Sequence, residues 1–178
     1  MKKILVTIIA LFIIVGVSQA QNKMCLNIGG NVLLPMGDFG DAANLGFGGT
    51  AQFEMQFMPQ LVGTAHAGYI IWGTDVDDVD FSAIPVMVGA KYYFMPNSGF
   101  YGHGQLGLYF MSVTTPKIVT PIGTFGGDSE SDSEFALSLG AGYELPLSPK
   151  LMLDLSGAFL IISDANNINL RAGVKFSL

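Results

Sequence analysis

The segment Leu170-Arg171-Ala172-Gly173-Val174-Lys175-Phe176-Ser177-Leu178 alternates apolar with polar or small residues at every step. A β-strand sends successive side chains to opposite faces. One face is therefore Leu170, Ala172, Val174, Phe176 and Leu178, and the other Asn169, Arg171, Gly173, Lys175 and Ser177. The first suits hydrocarbon, the second water. A soluble ligand-carrying barrel would hide the apolar face, and a membrane-spanning one would hide the polar face, so the class of fold turns on which face points inward.

At the other end, Lys2 and Lys3 precede an apolar run from Ile4 to Val17, and Ser18-Gln19-Ala20 forms a small-x-small cleavage site. This is the layout of a secretory signal peptide. Residues 1–20 are expected to be removed, leaving residues 21–178 as one domain. The single cysteine, Cys25, rules out an internal disulfide and lacks the small residues that precede a lipidated cysteine. Half of the chain is hydrophobic and 12% is charged. Yet beyond the leader no apolar run reaches the roughly 18 residues of a helical span. An exported chain of this kind satisfies its backbone within a membrane only by closing strands into a barrel. Without Lys2 and Lys3, six of the eight basic residues remain against fourteen acidic ones, a net charge of −8. That balance excludes nucleic acid as a partner.

Turn signals divide the remainder into eight alternating segments, at about 24–34, 45–58, 61–73, 82–95, 100–112, 134–146, 151–163 and 168–178. The connections at Pro59-Gln60, Pro96-Asn97-Ser98-Gly99 and Ser148-Pro149-Lys150 are tight. Those at 35–44, 74–81 and 113–133 are longer, and 164–167 is short. Such asymmetry separates periplasmic turns from extracellular loops.

One parity of these segments carries no charge: it includes Ile28, Val32, Phe47, Phe53, Tyr69, Ile71, Ile84, Val86, Val88, Leu106, Leu108, Phe110, Leu139, Leu155, Phe159 and Ile161. Every charge inside a strand falls on the other parity. Exposed to water, the first surface would far exceed the apolar patch a soluble monomer tolerates, so it faces lipid. Phe57, Tyr92, Phe94, Phe100, Tyr143 and Phe176 gather toward the tight-turn end as an aromatic girdle. The expected fold is all-β: an eight-stranded antiparallel up-and-down transmembrane β-barrel.

With its eight segments, its loop asymmetry and the stretch Ile84-Pro85-Val86-Met87-Val88-Gly89-Ala90-Lys91-Tyr92-Tyr93-Phe94, the chain resembles the small outer-membrane barrels typified by the OmpA transmembrane domain and OmpX. The resemblance implies location in the outer membrane of a Gram-negative bacterium. It also implies contact with lipid and lipopolysaccharide, and handling by the barrel-assembly machinery. The end of the chain resembles the signal read by that machinery, polar-x-Gly-x-x-aromatic-x-aromatic. Arg171, Gly173 and Phe176 match, and Leu178 stands where an aromatic residue is commoner.

An eight-stranded barrel is just wide enough to be filled by its own side chains. The inward ionisable residues are Glu54, His66, Lys91, His103, Glu144, Asp154, Arg171 and Lys175. Three acids meet three bases and two histidines, as a low-dielectric interior requires. Counting from the turns places Glu54 diagonally from His66, Lys91 opposite His103 and Glu144 diagonally from Asp154, with Lys175 and Arg171 as the cations for the last two. Neither histidine has a sequence-adjacent serine of the kind a lipid-modifying barrel enzyme needs, so both are read as structural and the chain as non-enzymatic, without a cofactor.

Eleven of the fourteen carboxylates fall at the long-loop end. Asp75, Asp77, Asp78 and Asp80, and the run from Asp128 to Glu134, offer oxygen ligands to a divalent cation. Neither run has the glycine and glutamate of a calcium-binding loop, so they are read as solvated loops; a middle reading has their carboxylates share divalent cations with lipopolysaccharide phosphates, without a dedicated site. The sequence thus suggests an envelope barrel whose loops, the third above all, meet an extracellular partner. A narrow porin-like channel and a surface adhesin are the competing roles.

Overall fold

The structure is a computed structural model that describes residues 23–73, 80–95, 98–114, 118–120, 123–125, 129–163 and 165–178. The leader and Asp75, Asp77, Asp78, Asp128 and Asp164 lie outside the described residues. The elements are β1 (Met24–Pro35), α1 (Asp38–Ala42), β2 (Gly46–Met58), β3 (Leu61–Trp72), β4 (Asp80–Tyr93) and β5 (Phe100–Thr114). They are followed by β6 (Ile118–Thr120), β7 (Gly123–Phe125), β8 (Ser129–Ser148), β9 (Leu151–Ile162) and β10 (Asn167–Ser177).

Eight strands close into one antiparallel barrel in the order β1-β10-β9-β8-β5-β4-β3-β2, while β6 and β7 form a separate hairpin. The barrel closes where β1 pairs with β10, from Cys25 opposite Ser177 to Pro35 opposite Asn167. The start of β1 and the end of β10 therefore lie together on the tight-turn side. Each expected segment is a strand, and no helix among the described residues is long and apolar enough to cross a membrane.

The alternation sorts the side chains as the sequence requires. Ile28, Phe47, Phe53, Tyr69, Ile84, Val86, Val88, Leu106, Leu108, Phe110, Phe135, Leu155, Phe159 and Ile161 are exposed on the outside, whereas Glu54, Lys91, Glu144, Asp154, Arg171 and Lys175 are buried inside. At the tight-turn end the Phe100 and Tyr143 rings lie 4.5 Å apart and those of Tyr92 and Phe94 6.2 Å apart.

Two features depart from expectation. The stretch from Ser129 to Glu134 is not a loop: β8 begins at Ser129 and pairs with β5 as far as Thr114. Its strict serine–acid alternation suits a strand, and Tyr109 to Thr114 supply the opposing ladder. The third long connection thus shrinks to residues 115–128 and carries the β6–β7 hairpin. Bulges lie at Gln56–Met58 and Pro146–Ser148, each beside a tight turn. The second slips the register and sets Glu144 directly opposite Asp154, not diagonally from it.

The lipid face yields a test. Val86, paired with Leu108, sits midway along β4 and is half exposed. Val86→Arg is expected to destabilise the barrel by about 2–4 kcal/mol, the cost of a cation near the bilayer midplane. Denaturant unfolding in lipid vesicles measures it, and a cost near zero would mean that this face does not meet hydrocarbon.

Candidate functional site

The barrel interior is layered. At the tight-turn end lies a network of charged and polar side chains, each placed by strand parity. Lys91 of β4 is its hub. Its ammonium donates to Glu54 Oε1 of β2 at 2.7 Å, Glu144 Oε1 of β8 at 3.0 Å and Asp154 Oδ2 of β9 at 2.8 Å, and lies 4.4 Å from the centre of the Tyr101 ring. Lys175 of β10 donates to Glu144 Oε2 at 2.7 Å and lies 3.0 Å from Glu54 Oε2. Arg171 stands 3.5 Å from Asp154 Oδ2 and donates to Asn27 Oδ1 at 2.8 Å and to Thr50 Oγ1 at 3.1 Å.

Neutral donors complete the shell. Asn27 Nδ2 and the Tyr101 hydroxyl donate to the two oxygens of Asp154, each at 2.5 Å. Tyr93 donates to Glu144 Oε1, and Gln52 Nε2 to Glu54 Oε1, each at 2.8 Å. Glu54, Glu144 and Asp154 bring carboxylate oxygens within 4.8 Å of one another, close enough to hold a metal ion. The centre is taken instead by the Lys91 ammonium, and the three acids meet three bases in the same layer. Such a network is tolerable in a dry interior because each charge is paired and hydrogen-bonded.

The expected inward residues are all inside, but they divide into two groups. Glu54, Lys91, Glu144, Asp154, Arg171 and Lys175 make the network. Lys91 is level with His103 in the ladder, as the turn count has it, yet its ammonium reaches across the lumen to the carboxylates. His66 is diagonal to Glu54 but does not bond to it: both its ring nitrogens, and Nε2 of His103, lack a well-formed hydrogen bond to the protein. Asp80 opens β4 opposite Thr114.

Gly173, matched above to the assembly signal, has a local role. A Cβ there would collide with Asn27 Oδ1 and the Arg171 guanidinium. Its hydrogen leaves the space through which Arg171 reaches Asn27. Gly142 likewise leaves room for the Tyr101 hydroxyl.

The sequence reading missed the outer half. There the lumen is apolar: Leu33, Ile70, Trp72, Met87, Tyr109, Leu160 and Ile162 pack together with Phe39 and Ala43 from the first long connection. Phe39 of α1 stands edge-on to Trp72, with ring centres 5.9 Å apart. The signal was present in Leu33-Leu34, Ile70-Ile71-Trp72 and Leu160-Ile161-Ile162, where both parities turn apolar as the strands approach the long connections.

Two variants probe the network. Lys91→Met leaves three carboxylates without their shared cation and is expected to cost about 3–5 kcal/mol. Gly173→Ala, as overpacking, is expected to cost about 1–3 kcal/mol. Guanidinium unfolding in detergent measures both, and an unchanged midpoint would remove the residue concerned from the network.

Comparison with curated proteins found no match. Among solved structures, Neisserial surface protein A is similar at 16% identity, with a TM-score of 0.67 over 87% of this chain and 97% of that one. Ail, the attachment invasion locus protein of Yersinia pestis, is 19% identical with a TM-score of 0.62 over 89% and 99%, and has also been solved in complex with the heparin analogue sucrose octasulfate. OprG from Pseudomonas aeruginosa is 14% identical with a TM-score of 0.53 over 88% and 96%. These likenesses establish the fold. The family profile described as outer membrane protein beta-barrel domain matches residues 7–176, so the chain belongs to the outer-membrane β-barrel family and is a Gram-negative outer-membrane protein.

Proposed function

We propose that the protein is a non-enzymatic barrel with a sealed lumen, which contributes to envelope integrity and presents acidic outer connections at the cell surface. The observation that carries this reading is the pair of layers in series. Along the barrel axis, a solute would meet first the paired charges around Lys91 and then the apolar packing around Trp72 and Leu160. Passage would require breaking the first and wetting the second. A narrow channel is disfavoured on the same ground.

An enzymatic role is disfavoured by access. Ser138, Ser156, His66, His103 and Asp154 do line one internal cavity, but its volume is about 20 Å³, too small for any acyl substrate. Export with removal of residues 1–20, and insertion by the barrel-assembly machinery through Arg171, Gly173, Phe176 and Leu178, belong to the same proposal.

The outer end favours cations. Asp38, Asp41 and Asp132 are exposed there. A polyanion of the kind bound to Ail would meet like charge, whereas a divalent cation bridging to lipopolysaccharide phosphate, or a basic extracellular ligand, would meet complementary charge. An adhesin acting through these connections is the second reading, favoured by the β5–β8 ladder that runs on past the end of β9.

Planar-bilayer recording of the folded barrel, with heat-modifiable gel migration to verify folding, tests the seal. Silence is expected from the wild type. It is also expected from Glu54→Gln/Lys91→Met, which loosens the charged layer and leaves the apolar one in place. Steady discrete openings by the folded wild type would overturn the sealed reading in favour of a channel.

A further inference from the structure

Between the charged and apolar layers lies a narrow chamber of about 20 Å³, lined by residues that include Gln52, His66, His103, Gln105, Asn169 and Arg171. The network does not use all of this lining. Both ring nitrogens of His66, Nε2 of His103 and Oδ1 of Asn169 are buried without a well-formed hydrogen bond to the protein, although the Gln105 side chain approaches the His66 ring. His66 itself is only 7% exposed. Buried polar atoms left unpaired are costly, and native interiors satisfy nearly all of them. We propose that the chamber is a binding site for one water molecule, held by His66, His103 and Asn169.

Size and chemistry select this ligand. A polar cavity needs roughly 10–15 Å³ of such room to hold one water, so the chamber admits one and not a cluster. A neutral imidazole presents one N–H donor and one lone pair, and an amide oxygen presents only lone pairs. The unpartnered set therefore asks for a ligand that donates and accepts at once.

Chloride would accept from an imidazole N–H and leave Asn169 Oδ1 unserved. A metal ion would take lone pairs, but it would sit in a chamber whose walls include Lys91 and Arg171. The only carboxylate in that lining, Asp154, is already engaged by Lys91, Asn27 and Tyr101. Water alone among ligands of this size can serve Asn169 and one nitrogen of each ring together, donating to Asn169 and one imidazole while accepting from the other.

The site also explains why two histidines can stand beside a complete ion-pair network without joining it. The charged layer is balanced without them, and one nitrogen of each ring is served through the water. They form the polar boundary against which the apolar layer begins.

The test uses the protein purified from outer membranes. A high-resolution crystal structure is expected to show one isolated density peak in the chamber, within hydrogen-bond distance of His66 and Asn169. No anomalous signal should appear there after soaking with bromide or with zinc. In detergent micelles, spectra of ¹³C,¹⁵N-histidine-labelled protein are expected to show magnetisation transfer from a long-lived water to ring protons of both His66 and His103. His66→Phe, which fills the chamber, should abolish both the peak and the transfer to His103. An anomalous peak in the chamber would make it an ion site and overturn the proposal. A dry chamber, with the imidazoles and Asn169 bonded directly to protein groups, would overturn it as well. The wild-type measurements decide the matter if His66→Phe fails to fold.

Discussion

The whole molecule depends on closing the backbone ladder between β1 and β10. In hydrocarbon an unpaired amide or carbonyl costs several kcal/mol, so an open sheet of these strands would leave two edges that the membrane cannot satisfy. Eleven consecutive residue pairs, from Cys25–Ser177 to Pro35–Asn167, remove both edges. Closure fixes the radius, and the radius fixes the interior. Eight strands leave room for side chains and little else, so every inward residue must find its partner among the other strands' inward residues. The ion pairs of Lys91 and the packing of Trp72 are consequences of that confinement.

The confinement is resolved in opposite ways at the two ends. Near the tight turns the lumen is filled by charges that neutralise one another across five strands, with Asn27, Gln52, Tyr93 and Tyr101 occupying the remaining oxygen positions. Near the long connections it is filled by aliphatic and aromatic groups, as a soluble protein's core would be. The transition falls at His66, His103 and Asn169, where neither solution is complete. Glycines set the geometry of the charged half. Gly173 and Gly142 provide space for a longer neighbour, and Gly99, with φ of 75°, makes a turn that a side chain would strain.

Much of this could be read from the chain because the barrel enforces a period of two on every strand. Parity placed Val86 outside and Lys91 inside without any knowledge of the neighbours, and turn residues located the strand ends to within a few positions. Parity does not, however, say how far a side chain reaches. Parity and turn count pair Lys91 with its ladder neighbour His103, whereas its four-carbon stem carries the ammonium across the lumen to Asp154. Nor does a turn count reveal a bulge, and the one at Pro146–Ser148 moved Glu144 level with Asp154. The acidic run ending at Glu134 reads as a loop by its hydrophilicity. Its alternation was nonetheless that of a strand, extending beyond the hydrocarbon where polarity no longer separates the two faces. The apolar outer lumen leaves no mark in the pattern of charge, because its inward residues are as apolar as the lipid-facing ones beside them.

The seating of Phe39 against Trp72 bears on how such a protein can change over generations. Connections facing a host or a competing microbe are under pressure to vary, and in many proteins variation at the surface propagates into the structure beneath. Here the outermost layer of the interior is held by dispersion and shape, with a hydrogen bond from Trp72 Nε1 to Asn167 Oδ1, and it tolerates conservative substitution, while the charge-paired layer whose partners must match lies at the far end of the barrel. Substitutions in the outer connections therefore meet an interior that does not depend on any particular charge or donor above it. Variation in the outer connections and integrity of the barrel become separable traits, open to selection independently.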